Sequence, residues 1–241
     1  VAFEGDGTNY VPGITNPAQI YVRDTCTGGR AECVPSTILV TAASNGAAGN
    51  GFQQLGSAIS GDGRYVAFAN GSTNLLPSFV SILVRDTCFV APAGCAPSTI
   101  AASVATDGTP GAGNGQLPSI SADGRYVAFD YAAGADTLGT GPSTASREVY
   151  LRDTCLAAPA GCTPSTRRVS VANDGSASNG SASGQSSVSA DGRYVAFVSD
   201  ASNLVAGDSN GFQDVFVRDT CIGAPGGCTP STTRVSVASN G

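Results

Sequence analysis

Histidine, lysine, methionine and tryptophan are absent from this chain of 241 residues, and all 12 basic residues are arginine. Without histidine there is no Ser-His or Cys-His nucleophile pair and no imidazole metal ligand. Without lysine there is no Schiff base and no Walker-type phosphate loop. The missing methionine predicts a processed or truncated segment that does not begin at a translation start.

Charged residues are also scarce, at 12% of the chain against about 25% in an average domain. The net charge is −6, and nucleic acid requires clustered cations, so no nucleic-acid partner is predicted. No apolar run approaches the roughly 18 residues that cross a bilayer, so no membrane span is predicted. The 41% of hydrophobic residues predict a folded domain with a substantial core.

Two sequence strings recur and divide the chain into four units. Val-Arg-Asp-Thr-Cys, or its Leu variant, places its arginine at Arg23, Arg85, Arg152 and Arg218. Asp-Gly-Arg-Tyr-Val-Ala-Phe starts at Asp62, Asp123 and Asp191, and half a copy opens the chain at Val1. The predicted repeat units are about 1–46, 47–108, 109–175 and 176–241, within a single domain, 1–241.

Each unit is predicted to contain four short strands. A Ser-Ile-Ser or Ser-Val-Ser strand precedes the Asp-Gly turn, and Arg-Tyr-Val-Ala-Phe follows it. Asp-Val-Phe-Val-Arg is typical of the third strand, and the fourth is placed at Thr233 to Val237 in the last unit. Four strands per unit, repeated, predict an all-β fold, a β-propeller of about four four-stranded blades.

The repeated residues resemble a known family. Ser-x-Asp-Gly-Arg-Tyr-Val-Ala-Phe, the loop Gly-Asp-x-Asn-Gly and then Asp-Val-Phe-Val-Arg-Asp are similar to the TolB-type, WD-like propeller repeat of secreted bacterial proteins. The last unit matches best, whereas the second unit lacks the Gly-Asp-x-Asn-Gly loop. The resemblance implies a propeller fold and an extracytoplasmic setting, but no particular activity.

The chain starts at the second strand of one unit and stops after the fourth strand of another. Three arrangements are compatible with this register: a four-bladed ring with a short first blade, a window from a longer array, and a polymer whose copies complete one another's blades. An incomplete blade leaves an unpaired strand edge, and such edges recruit other chains.

The eight cysteines form four pairs with the same spacing, Cys-x6-Cys. Their fixed place in each unit predicts four local disulfides, Cys26–Cys33, Cys88–Cys95, Cys155–Cys162 and Cys221–Cys228. Metal binding is the competing interpretation, but zinc sites usually need shorter, converging pairs. Disulfides persist outside the reducing cytosol, so an extracellular or cell-surface location is predicted, with the periplasm as the alternative.

One loop has the spacing of a cation site. Asp208, Asn210 and Asp214 place oxygen ligands at positions one, three and seven, which suits calcium, and Asp200 is a further candidate ligand. Turn hydrogen bonds are the alternative role for these side chains. The Asp-Gly-Arg-Tyr turns are predicted to be structural. The Arg-Asp pairs are predicted to tie blades or loops together, with an anion-binding ring of arginines as the alternative.

A two-carboxylate glycosidase remains chemically possible. Glutamate occurs only at Glu4, Glu32 and Glu148, and none recurs in the repeat. The sequence therefore predicts a non-enzymatic extracellular scaffold without a catalytic residue or certain cofactor. The near-identical units and low charge favour self-association into a filament or surface layer. The alternatives are a calcium-dependent or lectin-like adhesin that binds cell-surface glycans or proteins, and a carboxylate-based glycoside hydrolase.

Overall fold

The computed structural model describes residues 1–16, 18–27, 33–51, 56–132, 138–182 and 184–238. Within these ranges all regular secondary structure is β-strand. No helix among these residues has the length and apolar character that crossing a bilayer requires.

The strands form four antiparallel sheets, one after another along the chain, and we call these sheets blades one to four. Blade one contains β1 (Ala2–Gly5), β2 (Gln19–Asp24) and β3 (Ser36–Leu39). Blade two contains β4 (Ser57–Ile59), β5 (Tyr65–Ala69), β6 (Ile82–Asp86) and β7 (Ser98–Ala101). Blade three contains β8 (Gly115–Ile120), β9 (Tyr126–Ala132), β10 (Arg147–Asp153) and β11 (Ser165–Arg168). Blade four contains β12 (Ser187–Val188), β13 (Tyr194–Ser199), β14 (Asp214–Asp219) and β15 (Ser231–Arg234).

Strand order within each blade follows the chain, so every pair of neighbours is a hairpin. Blade one has three strands, as its half copy of the repeat predicts, and the other three have four. The predicted all-β, propeller-like arrangement of disulfide-bonded blades is therefore confirmed. The tight turn before β5 depends on Gly63, whose φ is +78°, a conformation that costs glycine little.

The fourth strand of the last blade lies earlier in the chain than its apolar pattern predicts. β15 ends at Arg234 rather than Val237. The amide of Val235 still donates to the carbonyl of Val215 at 2.8 Å. At the next residue a side chain replaces the main-chain pairing, because the amide of Val215 donates to Ser236 Oγ at 3.0 Å. The residues that follow therefore leave the sheet.

The core is divided into three layers, each between consecutive blades. Ile20 and Val22 of blade one pack with Val66 and Phe68 of blade two. The opposite side of blade two packs against blade three in a second cluster, and blade three packs against blade four in a third. Each middle blade is therefore covered on both sides, and β5 and β6 are buried at every residue. This explains why their sequences lack the alternation of a half-exposed strand.

Candidate functional site: the blade junctions and the two outer faces

The repeated turn motif is structural in all three copies, as predicted. Asp62 Oδ1 accepts hydrogen bonds from Ser60 Oγ at 2.5 Å and from the amide of Arg64 at 3.0 Å. Asp123 and Asp191 make the same pair of bonds in blades three and four. The aspartate therefore orders the hairpin turn, a common role for Asx side chains.

The arginine of the same motif forms a two-pronged ion pair within its blade. Arg64 Nε and Nη2 donate to the two carboxylate oxygens of Asp86 at 2.9 and 2.7 Å. Its guanidinium also lies 4.8 Å from the ring centre of Tyr65. Burial raises the pKa of Asp86, but Arg64 and the amide of Cys88 outweigh it, so the pKa lies below its ordinary value. Arg125–Asp153 and Arg193–Asp219 repeat the pair.

All eight cysteines are paired as predicted, one disulfide to each blade. The Cα atoms of each pair lie 5.7 to 5.8 Å apart, which is ordinary disulfide geometry. An aspartate carboxylate lies beside each bridge. Because the sulfurs are bonded to each other, they are not thiolate ligands, and the metal interpretation loses its donors.

The arginine of the second motif crosses the junction between blades. Arg85 Nη1 donates to the carbonyls of Ala42 and Ala43 in the preceding blade, at 3.3 and 3.1 Å. Thr99 Oγ1 donates to the same Ala42 carbonyl at 2.5 Å. Burial lowers the pKa of Arg85, but guanidinium stays charged at neutral pH. The predicted role in tying blades together is thus observed, and the buried arginine does not line an anion channel.

The other two junctions repeat this coupling. Arg152 donates to Ala105 O at 3.1 Å, and Arg218 donates to Ala172 O at 3.4 Å. The paired threonine hydroxyls donate to the next carbonyl back, Thr166 to Val104 and Thr232 to Val171, both at 2.6 Å. We call this arrangement the arginine–threonine coupling. Sequence reasoning identified the arginines but missed the threonines and the carbonyls.

A tyrosine ring on one blade also packs directly against a turn glycine of the next blade. A Cβ on Gly124 would overlap the ring of Tyr65, and one on Gly192 would overlap Tyr126. Tyr65 and Tyr126 are consequently buried, at 3% and 6% exposure. The glycine of each Asp-Gly turn therefore serves the junction as well as the turn.

The outer face of blade four has the same kind of residues but no covering blade. We define it as Tyr194, Ala196, Val198, Val215 and Val217, which share one side of β13 and β14. Tyr194 is 40% and Val215 is 38% exposed. No apolar cluster in the described part of the chain joins this face to blade one. Among the described residues, none forms a layer over this face of blade four.

The outer face of blade one is partly covered by its own loop. Phe3 and Tyr21 are paired across β1 and β2 and stack at 5.6 Å. Tyr10, from the β1–β2 connection, meets both rings edge-on, at 5.5 and 5.1 Å. Tyr21 is fully buried by this contact, while Tyr10 and Val1 stay 41% and 72% exposed. The two ends of the array are therefore apolar but different in construction.

The predicted calcium ligands come together, but around an arginine. Arg234 Nη1 lies 3.1 Å from Asp208 Oδ1 and 3.4 Å from Asp214 Oδ2. Asn210 Nδ2 donates to Asp214 Oδ2 at 2.8 Å, and Ser236 Oγ donates to Asp214 Oδ1 at 2.5 Å. A cation bound here would have to displace the guanidinium. Asp200 lies at the surface, and its amide donates to the carbonyl of Ser181 at 3.2 Å, outside this cluster. The sequence-based calcium site therefore has Arg234 as a competitor, and a calcium titration decides between the two.

The glutamates do not form a paired-carboxylate cleft in the described residues. Glu148 is fully buried, and its carboxylate accepts hydrogen bonds from Ser143, Ser170 and Ser178. Burial raises the pKa of Glu148. Glu4 is exposed on β1, and Glu32 lies outside the described residues.

No protein-family profile and no curated protein matches the chain. Among solved structures, TolB from Acinetobacter baumannii is 18% identical, covering 90% of this chain and 37% of that one, with a TM-score of 0.44. A protein assigned as TolB from Agrobacterium tumefaciens is 15% identical, covering 96% of this chain and 59% of that one, with a TM-score of 0.42. The chain therefore spans less than two thirds of either protein. These are matches to the family that the repeated motifs resemble, while the blade assignment rests on the four sheets themselves.

Proposed function

We propose that the protein is a non-enzymatic extracellular structural protein, which associates with copies of itself through the outer faces of blades one and four. The observation that supports this most strongly is the uncovered outer face of blade four. In every junction within the chain, the equivalent face is buried under another blade. A contiguous exposed apolar face is typical of an interaction surface.

The exposed apolar residues are concentrated at the ends of the array. Ten large apolar residues of the described chain are exposed. Seven of them belong to blade one's outer side or to blade four and the segment after it: Val1, Tyr10, Tyr194, Phe212, Val215, Val235 and Val237. Surfaces that differ at the two ends give head-to-tail contacts, which form rings or filaments according to the rotation between copies.

The four disulfides place the working environment outside the reducing cytosol. We propose the cell surface or the extracellular space rather than the periplasm, because a filament or layer acts there. Twelve percent charged residues also give little like-charge repulsion between neighbouring copies.

Sedimentation velocity over a range of concentrations, with electron microscopy of the native protein, tests this proposal. We expect larger species to grow with concentration, and Val215→Glu to suppress them because a charge would be buried in the contact. Val90→Glu is the matched control, since Val90 is 55% exposed in the disulfide loop of blade two. Native protein that stays as single copies at every concentration would contradict the proposal.

The sequence-based alternatives remain predictions. Glycan binding that disappears with a chelator and with changes at Asp208 and Asp214 would favour the lectin-like module. Hydrolysis that survives purification and is lost with a single acidic residue would favour the glycosidase.

A further inference from the structure

All three junctions inside the chain use the arginine–threonine coupling, and the chain carries one more copy of each half. The receiving half consists of an arginine at the end of the third strand and a threonine on the fourth. The donating half consists of two consecutive carbonyls that follow the fourth strand of the preceding blade. In the second junction these are Arg152 with Thr166, and Val104 with Ala105.

Blade one has the receiving half, and no other blade of the described residues lies against it. Arg23 Nη1 donates to Thr37 Oγ1 at 3.0 Å. The equivalent bonds are 3.1 Å for Arg85–Thr99 and 3.0 Å for Arg152–Thr166, so the pair is already arranged as it is in an occupied junction. Arg85 and Arg152 are 6% and 7% exposed, whereas Arg23 is exposed to solvent.

Blade four has the donating half, and the described part of the chain places no blade against it. The sequence Val-Ser-Val-Ala occurs at 169–172, where the Val171 and Ala172 carbonyls are bound by blade four. The same four residues occur at 235–238. Val237 is 48% exposed and Ala238 is also exposed. Their carbonyls therefore occupy the chain positions that the coupling uses.

We infer that Arg23 and Thr37 of one copy bind the main-chain carbonyls of Val237 and Ala238 of a second copy. The outer face of blade four then packs on the outer face of blade one. The inference rests on the proposed function and names the contact that carries it. Because the two halves differ, the contact has a direction, and each copy uses one half at each end.

A second copy is the occupant that this chain itself specifies. Both halves have the chemistry of the internal junctions, and each lies beside an apolar outer face, which in blade one includes Tyr10 from the blade's own loop. Among the described residues, Arg23 makes its side-chain bond to Thr37 and none to blade four. A guanidinium bound to neutral carbonyls makes charge-assisted hydrogen bonds, which are stronger than neutral ones.

The first test compares the self-association of the Arg23→Ala and Thr37→Val variants with that of Arg167→Ala. Arg167 is an exposed arginine on β11 and serves as the control. We expect Arg23→Ala to weaken association roughly 10- to 100-fold, because hydrogen bonds to a charged group are lost. Thr37→Val should weaken it less, and Arg167→Ala should associate like the unchanged protein. Denaturation of dilute, dissociated protein checks that each variant is folded.

A mixing experiment tests the direction of the contact. Arg23→Ala removes the receiving half, and Val215→Glu removes the donating face, so neither variant should form long assemblies. When the two variants are mixed, the intact blade-four face of Arg23→Ala fits the intact Arg23–Thr37 pair of Val215→Glu. We therefore expect discrete mixed dimers. Failure of the mixture to restore any association would overturn the head-to-tail contact.

The remaining outcomes separate this inference from the proposed function. If Val215→Glu abolishes assembly while Arg23→Ala assembles normally, self-association stands and the coupling is wrong. If the unchanged protein never associates, both fail. If the protein stays a single copy in which the side chain of Arg23 is protected from solvent, a further segment of the same polypeptide fills the site. Binding of a second copy at that site is then excluded.

Discussion

The inner faces of blades two and three and the outer face of blade four are built from the same repeat but have different surroundings. Tyr65 and Tyr126 are nearly buried, whereas Tyr194 is 40% exposed. Val149 is fully buried between blades three and four, whereas Val215, at the equivalent position of blade four, is 38% exposed. Local sequence therefore determines the blade, and only a neighbouring blade determines whether its face is core or surface.

The difference between the ends is equally instructive. Blade one covers much of its outer face with Tyr10, which comes from its own loop. Blade four has no comparable aromatic residue over its outer face among the described residues; Phe212, in the corresponding loop, is 76% exposed. One end carries a preformed arginine–threonine pair, and the other carries the exposed Val237 and Ala238 beside an exposed apolar face. These are the features expected of two surfaces that meet.

The largest difference should come from the coupling arginines. Arg152→Ala leaves the carbonyl of Ala105 and the hydroxyl of Thr166 without their buried donor. We expect it to lower the free energy of unfolding by about 2–4 kcal/mol. Arg23→Ala should change it by less than about 0.5 kcal/mol in dissociated protein, because Arg23 is exposed. Urea denaturation of dilute protein measures both, and equal losses would refute the contrast.

The same substitution at equivalent valines gives the next largest contrast. Val149→Ala removes two methyl groups from a closed layer and should cost about 2–3 kcal/mol. Val215→Ala should cost less than about 1 kcal/mol, because its side chain already contacts water. Thermal denaturation of both variants at low concentration checks this. A large loss of stability in the Val215→Ala variant of dissociated protein would mean that other residues cover the outer face of blade four.

Two turn glycines separate backbone strain from crowding at a junction. Gly63 and Gly192 both have a φ of +78°, so alanine costs the same backbone strain at each. A Cβ on Gly63 would lie 3.3 Å from Phe89, whereas one on Gly192 would overlap the ring of Tyr126. We therefore expect Gly192→Ala to be more destabilising than Gly63→Ala by about 1–3 kcal/mol. Equal losses would show that the junction tolerates the extra carbon.

The blades were predictable because their signals are local. Cys155 and Cys162 lie in one hairpin connection, and Asp123 bonds to Ser121 and Arg125 beside it. The junctions were only partly predictable, because Arg85 binds main-chain carbonyls more than 40 residues away. A carbonyl has no sequence signature, so the motif indicated that the arginine matters but not what it binds. The threonine is visible in the Pro-Ser-Thr string that recurs in each unit, but the string does not show that the threonine pairs with the arginine.

The Asp208 loop also shows that local sequence does not reveal contacts made by distant residues. Its ligand-like spacing is local, but Arg234, which binds Asp208 and Asp214, comes 26 and 20 residues later on another strand. A pattern search along the loop cannot detect a guanidinium that arrives from β15. The fold, rather than the spacing, determines which charge neutralises these carboxylates.

The smallest expected effect follows from that arrangement. With Arg234 between the carboxylates, we expect millimolar calcium to leave the melting temperature unchanged, because a bound ion would have to displace a positive charge that is already paired. Arg234→Gln is the informative variant, since it leaves Asp208 and Asp214 facing each other and should create calcium-dependent stabilisation. Calcium that stabilises the unchanged protein and not an Asp214→Asn variant would instead restore the calcium site at this end of blade four. The outer face would then carry an ion beside its apolar residues, and association between copies should depend on calcium as well.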